Sequence, residues 1–130
     1  MAVNRIDLWL PWPPALNRIW RMHKNSIYLT PEAKQYKEKV AGIFGWEGET
    51  IWKSQMLSVS IVGYPPDRRT RDIDGILKCL LDAVPSGMGG IWADDSQIAE
   101  LSVARLYEFE HRGSIRMQIR ESERENVMKR

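Results

Sequence analysis

Between Leu57 and Val84 the period of the apolar residues changes from two to about 3.6. Leu57, Val59 and Ile61 alternate with Ser58 and Ser60, which predicts a strand from about Gln55 to Tyr64, internal to a sheet. Ile73, Ile76, Leu77, Leu80, Leu81 and Val84 then recur at helical spacing. A chain that passes so quickly from a buried strand to an amphipathic helix must layer helix on sheet. The junction, Tyr64 to Asp74, reads Tyr-Pro-Pro-Asp-Arg-Arg-Thr-Arg-Asp-Ile-Asp. It sets Arg68, Arg69 and Arg71 before two carboxylates one residue apart, Asp72 and Asp74. Asp72 falls where the helix is predicted to begin, and Lys78 lies one turn beyond Asp74.

The flanking sequence supplies the other layers. Ile6, Leu8 and Leu10 share one face of a predicted strand that Pro11-Trp12-Pro13-Pro14 stops. Ala15 to Ser26 reads as a loop or irregular arm carrying Asn17, Arg18, Trp20, Arg21, His23 and Lys24. Aromatics interleaved with cations suit nucleic acid, through stacking and phosphate pairing; Trp12 and Trp20 closing a core edge among solvated cations is the alternative. Ile27 to Leu29 forms a short strand, and Thr30-Pro31-Glu32 starts a helix, with an N-cap, a proline at the first position and an acid in the first turn. That helix should reach Gly45 with Ala33, Tyr36, Val40, Ile43 and Phe44 inward. Pro85 to Gly90 reads as a flexible turn and lacks the Lys-Ser/Thr ending of a phosphate-cradling loop. A strand from Gln97 to about Phe109, a turn at His111-Arg112-Gly113 and a strand through Ile115, Met117 and Ile119 predict an antiparallel hairpin. The expected fold is a single α+β domain over residues 1–120, with a mixed sheet of about five strands and two main helices packed largely on one face. Residues 121–130 form a charged, frayed tail.

Composition excludes more than it assigns. The 130 residues are 43% hydrophobic and 28% charged, ordinary for one folded domain. A net charge of +2 is too mild to require a polyanionic partner, but Arg5, Arg18, Arg21 and Lys24 against Asp7, and the Arg68 to Arg71 cluster, make two local basic patches. Cys79 is the only cysteine, so no internal disulfide forms, and its place in the apolar helix makes it a small buried side chain. No apolar run has signal-peptide or membrane-span character, and the expected location is cytoplasmic.

Carboxylates that hold a hard divalent cation, beside cations that hold phosphate, are the parts of a metal-dependent nuclease. Asp72 and Asp74 offer two ligands from one backbone turn, Asp94-Asp95 is the best source of a third, and Lys78 can offset charge on a scissile phosphate. The same residues also have a purely structural reading: Asp72 as N-cap, Asp74 against the helix dipole and in an i,i+4 pair with Lys78, and Asp94-Asp95 as turn residues. The arginines favour the metal reading, since a cap gains nothing from phosphate-binding neighbours. His23 and His111 have no partner at ligand spacing. The tryptophans are mostly core candidates, with Trp92 set apart by its position beside Asp94-Asp95.

Three separate stretches resemble the RusA-type Holliday junction resolvases. Leu10-Pro11-Trp12-Pro13-Pro14 with Asn17-Arg18 is similar to the family's N-terminal signature; Pro66 to Asp74 with Lys78 is similar to the central motif; Trp92-Ala93-Asp94-Asp95-Ser96-Gln97 is similar to the third. The order and spacing also match, over roughly residues 6 to 120. The resemblance implies a homodimeric endonuclease of recombination and repair, often phage- or prophage-borne, cutting four-way DNA junctions symmetrically with Mg²⁺ or Mn²⁺. It implies Asp72, Asp74 and Asp95 as catalytic, metal-holding acids, Lys78 as the catalytic lysine, and Asn17, Arg18, Arg68, Arg69 and Arg71 on the DNA. Gly75 departs from the family, which often has Asn there, and removes a hydrogen-bonding group beside the acids. A branched-DNA-binding module without catalysis is the alternative from a different functional class.

Overall fold

The computed structural model describes residues 3–14, 20–23, 26–68, 73–107 and 112–123. Its elements run β1 (Arg5–Pro11), β2 (Trp20–His23), β3 (Ser26–Leu29), α1 (Pro31–Phe44), β4 (Leu57–Tyr64), α2 (Leu77–Ala83), β5 (Ile98–Arg105) and β6 (Ser114–Glu121). Short 3₁₀ turns at Ile73–Ile76 and Asp95–Gln97 lead into α2 and β5. The fold is α+β, with a mixed four-stranded sheet in the order β1-β6-β4-β5 and a separate two-stranded ribbon, β2-β3.

The sheet differs from the expected one in two ways. Four strands form it, not five, and the segment read as an irregular arm contributes β2 to the ribbon. Nor do β5 and β6 form a hairpin: β4 lies between them, parallel to β5 and antiparallel to β6. Alternation identifies a strand without naming its partner. The parallel pairing follows from α2, which with its flanking loops makes the crossover that two parallel strands need. Arg112 and Gly113 do reverse the chain, both with φ near 70°, but they deliver β6 to the far side of β4, where β1 closes its other edge. Central position explains why Ile115, Met117 and Ile119 are fully buried while Leu101, on edge strand β5, stays exposed.

The core lies between one sheet face and the two helices. Leu57, Val59 and Ile61 of β4 and the three β6 residues meet Ala33, Tyr36 and Val40 of α1 and Cys79, Leu80 and Ala83 of α2. Thr30 caps α1 by accepting from Ala33 N–H at 3.3 Å, Pro31 occupies the first turn, and Gly45 ends the helix with φ 57°. The Tyr36 hydroxyl donates to the Pro11 carbonyl at 2.7 Å, fastening α1 to β1. Ile43 is exposed instead of inward, although it follows Tyr36 by seven residues and shares its stripe; it lies in the last turn of α1, just before Gly45 ends the helix. Of the tryptophans, Trp52 and Trp92 are fully buried, whereas Trp9 is half exposed.

Trp9 sits on the opposite face of the sheet, stacked obliquely on Tyr64 at 5.6 Å, with the Arg116 guanidinium 5.9 Å from its ring. Beside it Asp7 accepts two hydrogen bonds from Arg116, at 3.2 and 3.0 Å, and others from Gln118 and Arg5. The Arg116 bonds above all, with those of Gln118 and Arg5, hold the Asp7 carboxyl at about 2, against an ordinary 3.8.

The glycine-rich segment after α2 is a built turn. Gly90 N–H donates to the Gly87 carbonyl and Ile91 N–H to the Pro85 carbonyl. The Thr50 hydroxyl donates to the Gly87 carbonyl and accepts from Gly89 N–H. A Cβ at Gly90 would lie 2.7 Å from both the Pro85 carbonyl oxygen and the Ser86 Cα, atoms that cannot rotate away.

Gly90→Ala should therefore destabilise the fold by about 1–3 kcal/mol, the usual cost of overpacking, read as a lowered denaturation midpoint. Asp7 contributes stability that is fully present above its unfolded value of 3.8 and is lost as pH falls through about 2. Between pH 4 and 2 the melting temperature should fall more steeply for the wild type than for Asp7→Asn; parallel curves would rule this out.

Candidate active site

The Arg68–Asp74 stretch leaves the C-terminal end of β4, which is paired in parallel with β5. In open sheets with parallel strands, carboxyl ends of this kind are where loops gather ligand-binding groups. Arg68 is described and exposed; Arg69, Arg71 and Asp72, with Asn17 and Arg18 from the N-terminal motif, lie outside the described residues. Asp74 is exposed in the 3₁₀ turn Ile73–Ile76, and its carboxylate has no hydrogen-bond or ion-pair partner among the described residues.

The α-helix begins at Leu77, later than the expected start at Asp72, and no side chain caps it. A 3₁₀ turn has three residues per turn, so Asp74 and Lys78 straddle a change of helical pitch and do not stack as an i,i+4 pair. Lys78 instead pairs with Asp82 at 3.2 Å, with both side chains about half exposed. Of the structural roles open to Asp74, the pairing with Lys78 is not made, while its place in the first turn at the start of the helical segment is kept.

The second carboxylate pair divides by a different device. Asp94 has extended backbone and is the N-cap of the turn Asp95–Gln97, its side chain accepting from Ser96 N–H at 3.1 Å. Gln97 returns the bond: its Oε1 accepts from Asp94 N–H at 2.9 Å, completing a capping box. Asp95, the next residue, is exposed, and its carboxylate has no partner among the described residues. Asp94 thus fills the turn role expected of the pair and leaves Asp95 available as a ligand.

Asp95 also lines a cavity of about 290 Å³ between α1 and α2, with Asp94, Asp82, Lys37, Cys79 and the buried Trp92 in its wall. Cys79 takes no part in hard-metal chemistry. Burial first, then the nearby Asp82 charge, pushes its thiol up to about 11. Among the described residues no three Asp, Glu, His or Cys side chains gather as a metal site; Asp74 and Asp95 are described, and Asp72 is not. Asp74 and Asp95 are each of the donor type a hard cation takes, but Asp74 follows the C-terminal end of β4 and Asp95 precedes β5, and Asp74 is not among the residues lining the Asp95 cavity.

Two further residues stand out here that motif reading left without a role. Gln97, named only as part of the third motif, is completely buried and fully hydrogen-bonded. Arg105 lies opposite Gly63 at the C-terminal end of β5, and one of its guanidinium nitrogens is buried without a hydrogen-bond partner. A lone arginine in a strand carries no signal of its own; the register of β5 on β4 brings it to that end of the sheet.

Residues 11–120 match the family described as Endodeoxyribonuclease RusA. The chain belongs to the RusA endodeoxyribonuclease family. Relatives include the crossover junction endodeoxyribonucleases RusA of Enterobacteria phage 82 and of Escherichia coli K12, each 31% identical over 104 residues, 80% of this chain and 85% of theirs. That of Enterobacteria phage HK97 is 32% identical over 103 residues, covering 79% and 84%. RusA proteins similar to this one thus come from both phages and a bacterium. The RusA match extends from Pro11 to Arg120, across both helices, β4, β5 and all but the last residue of β6, and takes in only the last residue of β1. No helix among the described residues is long and apolar enough to cross a membrane.

Because its thiol is buried and hard to ionise, Cys79 should resist alkylation by iodoacetamide at pH 8 in the native protein and react readily in denaturant. Labelling of the native protein at the denatured rate would contradict the placement of this side chain.

Proposed function

We propose that this chain is a Mg²⁺- or Mn²⁺-dependent endonuclease that resolves four-way DNA junctions as a homodimer. The observation that carries this reading is the division of labour at Asp94-Asp95: Asp94 is spent on the cap, and Asp95 is left exposed and unpaired. Asp74 likewise has no partner among the described residues, in a chain of the RusA family whose named relatives are crossover junction endodeoxyribonucleases.

In this proposal Asp72, Asp74 and Asp95 hold the metal. When bound, the metal supplies a more basic water and stabilises charge on the phosphate and the leaving oxygen. The residues of the chain do the rest. Arg68, Arg69 and Arg71, with Asn17 and Arg18, grip the DNA backbone by charge-assisted hydrogen bonds. Lys78 is held by Asp82 in an exposed pair worth at most about 1 kcal/mol, so a phosphate can take the ammonium at small cost. A twofold dimer presents two such sites related as the strands of a four-way junction are, which yields paired symmetric cuts.

The test uses a labelled four-way junction and a matched linear duplex, with Mg²⁺ or EDTA. Paired nicks in the junction that need Mg²⁺ are expected. Asp72→Asn and Asp95→Asn should each lower cleavage about 10²-fold or more, as loss of a transition-state contact does, while junction binding persists. Tight junction binding without cleavage at any Mg²⁺ or Mn²⁺ concentration would replace this reading with a branched-DNA-binding module.

A further inference from the structure

We propose that Gln97 is a positioning residue for metal binding, acting through the backbone that carries Asp95; this rests on the reading of Asp95 as a ligand. Gln97 is 0% exposed, although glutamine is rarely buried. Its amide bonds at both ends. Oε1 accepts from Asp94 N–H at 2.9 Å, and Nε2 donates to the Trp52 carbonyl at 3.1 Å and to the Gln55 carbonyl at 3.0 Å. All three partners are backbone atoms, so one side chain ties the Asp94–Gln97 turn to the segment that enters β4. Ala93 N–H donates to the same Trp52 carbonyl at 3.2 Å, a second tie to that segment.

A leucine or methionine could fill the volume but would leave the three backbone groups without this partner. What an amide adds is fixed geometry across the gap between two backbone segments. The residue it immobilises is Asp95, which is exposed and makes no side-chain bond that would orient it. An exposed carboxylate can serve as a metal ligand with little reorganisation only if its backbone is held, and Gln97 does the holding. Groups that orient metal ligands in this way typically change metal affinity about 10–100-fold when removed.

The experiment compares wild type, Gln97→Met and Gln97→Glu in the full chain. Methionine keeps the volume and loses all three bonds, whereas glutamate keeps the acceptor for Asp94 N–H and loses both donors. Amide exchange across residues 93–97 is measured without metal, Mn²⁺ affinity by titration, and junction cleavage as a function of Mg²⁺. The proposal expects faster exchange confined to this turn, Mn²⁺ affinity reduced about 10–100-fold, and cleavage restored towards the wild-type rate by excess Mg²⁺. Junction binding in EDTA should be unchanged. Asp95→Asn is run alongside: if it binds Mn²⁺ and cleaves like wild type, the ligand reading of Asp95 fails. If Asp95→Asn loses both while the Gln97 variants bind Mn²⁺ normally, the positioning role alone fails. Unfolding of both Gln97 variants, or cleavage reduced equally at every Mg²⁺ concentration, would make Gln97 a stability residue and overturn the proposal.

Discussion

Strand β4 is the member on which the rest of this structure depends. It is paired along both edges, antiparallel to β6 and parallel to β5, and its alternate residues Leu57, Val59 and Ile61 are buried under both helices. Neither end of such a strand can shift without breaking two ladders and the core at once. Both candidate site segments are attached to it. The Arg68–Asp74 stretch leaves its C-terminal end, and the Trp52–Gln55 segment entering its N-terminal end holds the Asp94–Gln97 turn through Gln97. The burial of β4 therefore gives the Asp94–Gln97 turn, tied to the segment that enters it, a rigid frame.

Adjacent residues of the same type end in different roles because backbone conformation divides them. Asp94 is extended and reaches forward to Ser96 N–H, while Asp95 has entered the turn and its exposed side chain has no partner among the described residues. Asp74 escapes pairing with Lys78 because a 3₁₀ turn intervenes, and Lys78 takes Asp82 as its partner. In each case an ordinary structural role is filled by one residue, leaving its neighbour uncommitted. Accessible carboxylates without a partner among the described residues, in a RusA-family chain, are the ones the metal reading proposed above draws on.

Much was legible from local pattern. The N-cap Thr30, the proline after it and Gly45 bounded α1, because capping is settled within a few residues of the helix end. The alternation of Leu57, Val59 and Ile61 identified an internal strand, since burial from two sides leaves no freedom in that period. The motifs around Asp74, Asp95 and Lys78 led to the RusA family, because the donor types and their spacing are written in the chain itself.

Only the tertiary structure decided the partners. That β6 sits beside β1 and β4, instead of folding back on β5, depends on where the α2 crossover leaves the chain, and period-two patterns carry no record of it. Of the ribbon, β3 was legible as a short strand at Ile27 to Leu29, whereas β2, four residues inside a stretch read as an irregular arm, was too short for alternation to register. Gln97 and Arg105 gained their significance from residues far away in sequence, Trp52 and Gln55 for the one and Gly63 for the other. Local spacing thus determined the elements and their chemical groups, because caps and periods act over a few residues. Long-range contact determined the strand order and which side chains were tied down or left free, because buried polar groups must find partners wherever the fold brings them.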